Sequence, residues 1–428
     1  MNTLARKEVF GEVFTPPILI DELLDQLPPS IWRDSTKQWL DPCAGRGQFF
    51  IRALPRLMEG LASEFPDAKT RRHHILSQMF TMVEINPDNA KAIRRTFGPH
   101  VRVKCADFLA TPAPHPNPHP QNTYDVILAN PPYQAPKAAA YRGSYAKRTL
   151  WDKFLVRALD ISNQHAYVGF ITPGNWRRPG HPLYDRITQS LTYLHIYSKH
   201  DGRTHFGVQS RFDVYLLRPA SQEAPTSPPS PPLIIDEEGV RHTDVQAHTW
   251  PFLPNFAYRE VRSLFTTKRT PPQPVIYDAS LYDSRKLHQN PSPTYKYPVV
   301  HTLTQEGIGL RYASTRDPRH FGVPKVILNF NEKQYPVNDY QGKYGMSQLS
   351  FGLPIRGRAQ GDRIVACIRS PAFQRVLRAT KWAAYQTDYR MFAHFRRDFC
   401  DRLHRRSRSG RHHTKASLRT TRKRRRSN

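Results

Sequence analysis

Asn130, Pro131, Pro132 and Tyr133 follow directly on the apolar run "YDVILA" (124–129). Proline has no N–H for a sheet ladder, so a strand over that run stops at this point. The four residues suit one kind of chemistry. An exocyclic amino group on a nucleobase is a poor nucleophile, because its lone pair is delocalised into the ring. Acceptors placed on both of its N–H bonds draw the nitrogen toward tetrahedral geometry and localise that lone pair. The Asn130 side-chain oxygen and the Pro131 carbonyl are two such acceptors. Each proline holds its predecessor extended and fixes its own φ, so the acceptors are preorganised and neither proline adds a competing N–H. Tyr133 offers a face for stacking an unstacked base, worth about 1–3 kcal/mol.

Three carboxylates stand at the ends of three earlier apolar runs. The first run ends in "DPCAGRG", with Asp41, Gly45 and Gly47. Glycines let a backbone approach a ligand, and a following helix supplies free N–H groups. Asp41 would repel a pyrophosphate, so a ligand with a positive centre fits this turn. Glu84, in "VEINP", is placed to take both hydroxyls of a ribose. Asp107, in "CADFL", is placed to accept from an exocyclic amine. A cation, a ribose and an amine together describe S-adenosylmethionine.

The elements that must position these residues alternate. Apolar runs at 37–41, 79–85, 101–105, 124–129, 166–172 and 212–218 are interleaved with helical patterns such as "QFFIRALPRLMEGLA", "NPDNAKAIRRTF" and "LWDKFLVRALDIS". This is βαβ order and predicts an α/β domain with a doubly wound, mostly parallel Rossmann-like sheet over residues 1–218. Ligands of such sheets bind at the carboxyl ends of the strands. A Pro-rich linker is expected over 219–233 and a second, mixed α+β domain over 234–400. Residues 401–428 read as a disordered basic tail. "TPAPHPNPHP" (111–120) reads as an exposed loop, with His115 and His119 solvated.

Composition limits the partners. The net charge is +29, and twelve of the basic residues lie between Arg402 and Asn428 with no acid among them. A polyanionic partner is implied, nucleic acid above all. Cys43, Cys105, Cys367 and Cys400 show no C-x-x-C spacing, so neither a zinc site nor a disulfide framework is expected. The chain has no run long enough for a membrane helix and no apolar signal core near its start. An intracellular, DNA-associated protein is expected, cytoplasmic in a prokaryote. In a eukaryotic or viral setting "RKRRR" (422–426) would serve as a nuclear address.

At these motifs the chain resembles the S-adenosylmethionine-dependent DNA adenine-N6 methyltransferases of type II restriction-modification systems, those with cofactor motifs first and target recognition last. The resemblance covers residues 8–218. "GEVFTPP", with Gly11, Thr15 and Pro16, is similar to the segment that closes over the methionine end of the cofactor. "DPCAGRG" is similar to the cofactor loop, Glu84 to the ribose carboxylate, Asp107 to the adenine-binding acid, and "NPPY" to the catalytic tetrapeptide. "FITPGNW" (170–176) resembles the segment shaping the target pocket. "HFGVQSRFDVYLL" resembles the one carrying a second aromatic, which places Phe206 on the other face of a flipped base, with Phe212 and Trp176 as alternatives. The resemblance implies S-adenosylmethionine as co-substrate, no metal, double-stranded DNA as substrate, a monomer, and a cognate restriction endonuclease on a separate chain. With the cofactor motifs so near the start of the sequence, no N-terminal nuclease is expected.

The sequence departs from that pattern between Gly47 and Glu84, where the spacing exceeds the usual value of about 20. An insertion near "FPDAKTRRHH" (65–74) is expected there. Lys137, Arg142, Lys147 and Arg148, after the tetrapeptide, suit the backbone of a target strand. In the second half, the apolar residues of 373–399 recur mostly at steps of three and four, which predicts helix and core. The tetrapeptide serves planar amides and amines in general, so modification of an RNA base or a protein glutamine is an alternative. An inactive nucleic-acid-binding protein on the same fold is another.

Overall fold

The computed structural model describes residues 14–110, 124–134, 149–219, 230–331, 333–382 and 387–403. Gly11, the Pro-rich loop 111–120, the basic residues Lys137, Arg142, Lys147 and Arg148, most of the 219–233 linker, and the tail beyond Leu403 lie outside the described residues.

In the first half the alternating pattern resolves into α1 (Pro17–Leu24), β1 (Trp39–Asp41), α2 (Gln48–Gly60), α3 (Ala68–His74), β2 (Phe80–Glu84), α4 (Pro87–Phe97), β3 (Arg102–Cys105) and β4 (Tyr124–Ala129). It continues with α5 (Trp151–Asp160), β5 (Ser162–Pro173), α6 (Tyr184–Ser190), β6 (Leu191–Tyr197), α7 (Lys199–Phe206), β7 (Phe212–Leu217), β8 (Leu233–Ile235) and β9 (Arg241–His242). Local chemistry sets the boundaries. Asn86 caps α4 by accepting from the Asp88 N–H at 3.0 Å, with Pro87 in the first turn. Ser198 and Asp201 form a capping box on α7. The segment read as an insertion forms α3, capped by Asp67 on the Thr70 N–H at 2.7 Å, followed by a π-helical turn over Ile75–Met79.

The nine strands form one sheet in the order β3-β2-β1-β4-β5-β7-β6-β8-β9. β1 through β5 pair in parallel, and β7 lies antiparallel between β5 and β6. This is the doubly wound, mostly parallel Rossmann-like sheet that the sequence predicts. Every residue of β1 and β2 is buried, as strands covered on both faces require. Chain order reverses between β1 and β4, so a crevice opens at their carboxyl ends. Those ends are Asp41 and Ala129.

Helix α1 fixes the segment that approaches this crevice. Leu19, Ile20, Leu23 and Leu24 are fully buried. Arg52 of α2 clamps Asp21 through two bonds of 2.9 and 2.5 Å. Glu22 accepts from Tyr193 at 2.8 Å, from His195 Nδ1 at 2.9 Å and from Tyr197, all on β6. Thr15, just before α1, is thereby held to the body of the sheet.

The domain boundaries differ from those expected. β8 pairs in parallel with β6, from Tyr193 with Leu233 to His195 with Ile235, and Ile234 is fully buried. The first compact unit therefore runs past 218 and 233 to Trp250, leaving out only Arg177–Gly180. Those four residues belong to the second unit, because the buried Arg177 guanidinium donates to the carbonyls of Leu253 and Pro254 and to Asn255 Oδ1, at 3.3, 3.1 and 2.9 Å.

The second unit is mixed α+β, as expected. It holds α8 (Tyr258–Leu264), β10 (Tyr297–Leu303), β11 (Ile308–Ala313), β12 (Lys325–Asn329), β13 (Val337–Asp339), β14 (Gly345–Met346), β15 (Ser350–Pro354), α9 (Arg358–Arg369) and α10 (Pro371–Ala379). The strands make two three-stranded sheets, β11-β10-β14 and β13-β12-β15. The helical spacing over 373–399 is realised as helix only to Ala379, with a 3-10 turn at Tyr389–His394. Its aromatic residues Phe373, Trp382, Phe392, Phe395 and Phe399 are core, as predicted.

Lys325 and Asp339 form an ion pair of 2.8 Å, both side chains almost fully buried. The ammonium also donates to the carbonyls of His320 and Val323 at 2.8 and 3.2 Å. Lys325→Met leaves Asp339 buried without its cation and is expected to cost ~3–5 kcal/mol. A shift of the urea unfolding midpoint for the second unit measures it.

Candidate active site

The turn after β1 is built around two carboxylates. Asp41 is 1% exposed. Its Oδ1 accepts from the Cys43 N–H at 3.1 Å. Its Oδ2 is buried and has no hydrogen-bond partner among the described residues. Burial raises the Asp41 carboxyl to about 8; the Cys43 N–H opposes this and the nearby Glu84 charge adds to it. Glu84, at the end of β2, accepts from the Gly45 N–H and the Asn86 N–H, each at 2.7 Å. It thus ties the glycine turn to the start of α4.

The two glycines serve different needs. Gly45 has φ +54 and open space where a Cβ would stand. Gly47 has φ +82, and a Cβ there would lie 2.8 Å from a ring carbon of Phe97 on α4. Backbone hand and close packing together require glycine at the second position.

Asn130 follows β4, beside β1. Its side-chain amide donates to Thr15 Oγ1 at 3.0 Å, and Thr15 is 8% exposed. This bond directs the amide nitrogen to Thr15 and leaves Oδ1 as an acceptor for another group. The Asn130 backbone N–H bonds the Cys43 thiol. Burial, Asp41 and Glu84 push that thiol well above its ordinary value, with the Asn130 N–H opposing them, so Cys43 is a neutral thiol and a poor nucleophile. Thr15, Asp41, Cys43, Gly45, Glu84 and Asn130 thereby crowd around one strand-end crevice.

The other predicted residues are held separately. Tyr133 is half-buried, and its carbonyl accepts from the Leu150 N–H at 3.2 Å. Burial and Asp213 raise its hydroxyl above the usual range. Pro131 is buried and Pro132 half-buried. Asp107 is exposed, with Oδ1 accepting from the Leu109 N–H at 2.8 Å. Phe206, at the end of α7, is half-buried and lies edge-on to Phe212 at 4.9 Å. The two alternatives to Phe206 are core: Phe212 is 1% exposed and stacked on Tyr197, and Trp176 is fully buried.

Sequence reasoning misses three further residues. Asp213 is fully buried in β7, opposite Thr172 of β5. Its signal is an acid inside the apolar run "FDVYLL". Ile85, directly after Glu84, is 51% exposed, and Phe14, directly before Thr15, is 39% exposed beneath Arg46. Apolar side chains left open beside strand-end carboxylates suit the flat face of a ligand ring. The orphaned Asp41 Oδ2 fits the positive end of such a ligand. Among the described residues no group of three or more His, Cys, Asp or Glu is placed to hold a metal ion, and no helix is long and apolar enough to cross a membrane.

Comparison with known proteins finds relatives consistent with this geometry. Residues 68–201 match the family Eco57I restriction-modification methylase, a span that includes Glu84, Asp107 and the tetrapeptide. An uncharacterized adenine-specific methylase of Mycoplasma pneumoniae is 24% identical over 251 residues, which are 42% of this chain and 59% of that relative. The chain thus spans somewhat over half the length of this curated relative. Among solved structures, the type IIL restriction-modification enzyme MmeI in complex with DNA is 11% identical, with a TM-score of 0.49 over 92% of this chain and 69% of that one. The type ISP restriction-modification enzyme LlaBIII bound to DNA is 12% identical, with a TM-score of 0.48 over 82% and 35%. The resemblance to adenine methyltransferases of restriction-modification systems, read from the motifs, is borne out by the family match and the curated relative.

The Asp41 carboxyl predicts a pH effect. Its folded value of about 8 lies above the usual 3.8, so the folded state binds the extra proton. Its stabilising contribution is fully present below about 3.8 and is lost progressively as pH rises from there to about 8. Around pH 6 the difference in unfolding free energy between the ligand-free wild type and Asp41→Asn is expected to change by ~1.4 kcal/mol per pH unit, one proton's worth. Urea titrations of both proteins from pH 5 to 8 measure that slope.

Proposed function

We propose that this chain transfers a methyl group from S-adenosylmethionine to the N6 amino group of adenine within a specific sequence of double-stranded DNA. One observation carries the reading. The Asn130 amide, turned by Thr15 so that its oxygen is the available acceptor, stands at the end of β4. Next to it, at the end of β1, is a buried carboxylate oxygen with no partner among the described residues. An acceptor for an amine and a carboxyl that a bound cation would draw into its charged form meet at the switch point of a doubly wound sheet.

The co-substrate supplies an electrophilic methyl group on a sulfonium centre. Asp41 would hold its positive end, Glu84 its ribose, Asp107 its adenine amine, and Gly45 and Gly47 the close backbone approach, with Ile85 against a ring face. On the other side of the crevice, Asn130 Oδ1 and the Pro131 carbonyl accept the two N–H bonds of the target amine and align its lone pair. Tyr133 stacks on the flipped adenine, and Phe206 covers the opposite face; extrusion costs a few kcal/mol and stacking offsets part of it. The neutral Cys43 thiol forms no covalent intermediate. The net charge of +29 supports duplex DNA as the partner. The chain acts as a monomer in a prokaryotic cytoplasm, protecting DNA from an endonuclease carried on a separate chain.

Transfer of labelled methyl from S-adenosylmethionine to duplex DNA, with RNA and glutamine peptides in parallel, tests the reading. DNA is expected to be labelled at adenine N6. Asn130→Ala is expected to lower kcat about 10²–10³-fold, the scale for removing one preorganised group that stabilises a transition state. Cys43→Ala is expected to stay within a few-fold of wild type. Labelling confined to RNA or peptide, or a trapped cysteine adduct, would overturn the proposal.

A further inference from the structure

The second unit contains a groove of about 830 Å³ with a strongly basic lining. Its walls include Arg356, Arg358, Arg363, Arg396 and Arg397, against only Asp398 and Asp401. Asp398 is taken by Arg396. Arg358 lies over the Tyr340 ring at 5.2 Å, with Asp362 3.9 Å away. Arg356 and Arg363 are exposed, and their guanidinium groups have no hydrogen bond or ion pair among the described residues. The first turn of α9, which forms one wall, carries no acidic side chain to compete for them.

Guanidinium groups held apart from carboxylates repel one another unless an anion lies between them. A groove of this size exceeds one small anion and suits a run of chain carrying several. The planar fork of arginine matches phosphate oxygens in pairs. Asp401 is one of the lining residues, and in the sequence the twelve basic residues from Arg402 onward follow it directly.

Resting on the reading of duplex DNA as substrate, we propose that this groove binds consecutive phosphodiesters of the duplex and supplies affinity without reading sequence. Bonds to phosphates position a protein and release counterions, whereas bonds to bases specify. The groove therefore governs how strongly and how salt-dependently DNA is held, while methyl transfer is left to the crevice of the first unit.

The test uses the full chain and the double variant Arg356→Ala/Arg363→Ala, neither residue being part of the candidate active site. Affinity for a random-sequence duplex is measured by fluorescence anisotropy across a salt series. The variant is expected to bind more weakly at low salt, with the slope of log affinity against log salt flattened by about 1 for each phosphate it no longer neutralises. Its preference among methylated sites and its kcat at saturating DNA are expected to be unchanged. If the wild type binds and methylates duplex DNA but the variant shows the same affinity and slope, the groove proposal alone fails. If the variant loses binding of inorganic pyrophosphate and keeps its DNA slope, the groove is a small-anion site and the proposal is overturned. If the wild type shows no salt-dependent affinity for duplex DNA, the DNA reading fails as well.

Discussion

Asp41 and Glu84 are two carboxylates buried on neighbouring strand ends, 1% and 6% exposed, and the turn between β1 and α2 is shaped to answer them. The Cys43 and Gly45 N–H groups point inward to these oxygens. That inward set of the backbone calls for the left-handed glycine at position 45 and brings Gly47 against Phe97. Burying two carboxyls close together disfavours the charged form of one, and Asp41 answers by holding its proton up to about pH 8. Three of the four oxygens accept from backbone N–H groups, and Asp41 Oδ2 does not. The site is therefore incomplete in a specific sense: one buried carboxyl oxygen has no partner among the described residues.

The second half of the site depends on the first through geometry rather than charge. β4 lies beside β1 in parallel register, Trp39 with Val126 and Leu40 with Ile127, so Asn130 emerges level with the turn. Thr15, delivered from the other side by α1, then chooses which end of the Asn130 amide faces the crevice. The clamp of Asp21 by Arg52 and the three donors on Glu22 hold α1 firmly enough for that choice to persist. An amide oriented by a side chain 115 positions away ties the segment before α1 to Asn130, and under the proposed function that segment would help align the target amine, beyond its expected role as a cover for the cofactor.

The second unit divides structural charge from surface charge. Its buried pair, Lys325 with Asp339, is closed by two carbonyls and two backbone N–H groups, those of Lys343 and Tyr344, and has nothing left to offer a ligand. Arg356 and Arg363 at the groove are the opposite case, exposed and unmatched by acids among the described residues. Under the proposed function a polyanion would meet the second kind only.

The strand ends, the carboxylates on them and the Asn-Pro-Pro-Tyr segment were legible in the sequence by itself. Apolar runs with period-breaking prolines and glycines reveal strands and turns through local sterics, which neighbours in the chain determine. The core role of the aromatic residues in 373–399 was legible for the same reason. Three things were decided only by tertiary structure. The continuous helix suggested over 373–399 stops at Ala379, because the later aromatics pack by long-range interactions that spacing cannot reveal. The boundary at 218 gave way because Leu233–Ile235 finds a partner in β6, across some forty residues of intervening chain. The Asn130–Thr15 bond and the raised carboxyl of Asp41 arise from groups brought together in space from distant positions. Burial and pairing are properties of the folded environment, and no residue carries them in its own identity.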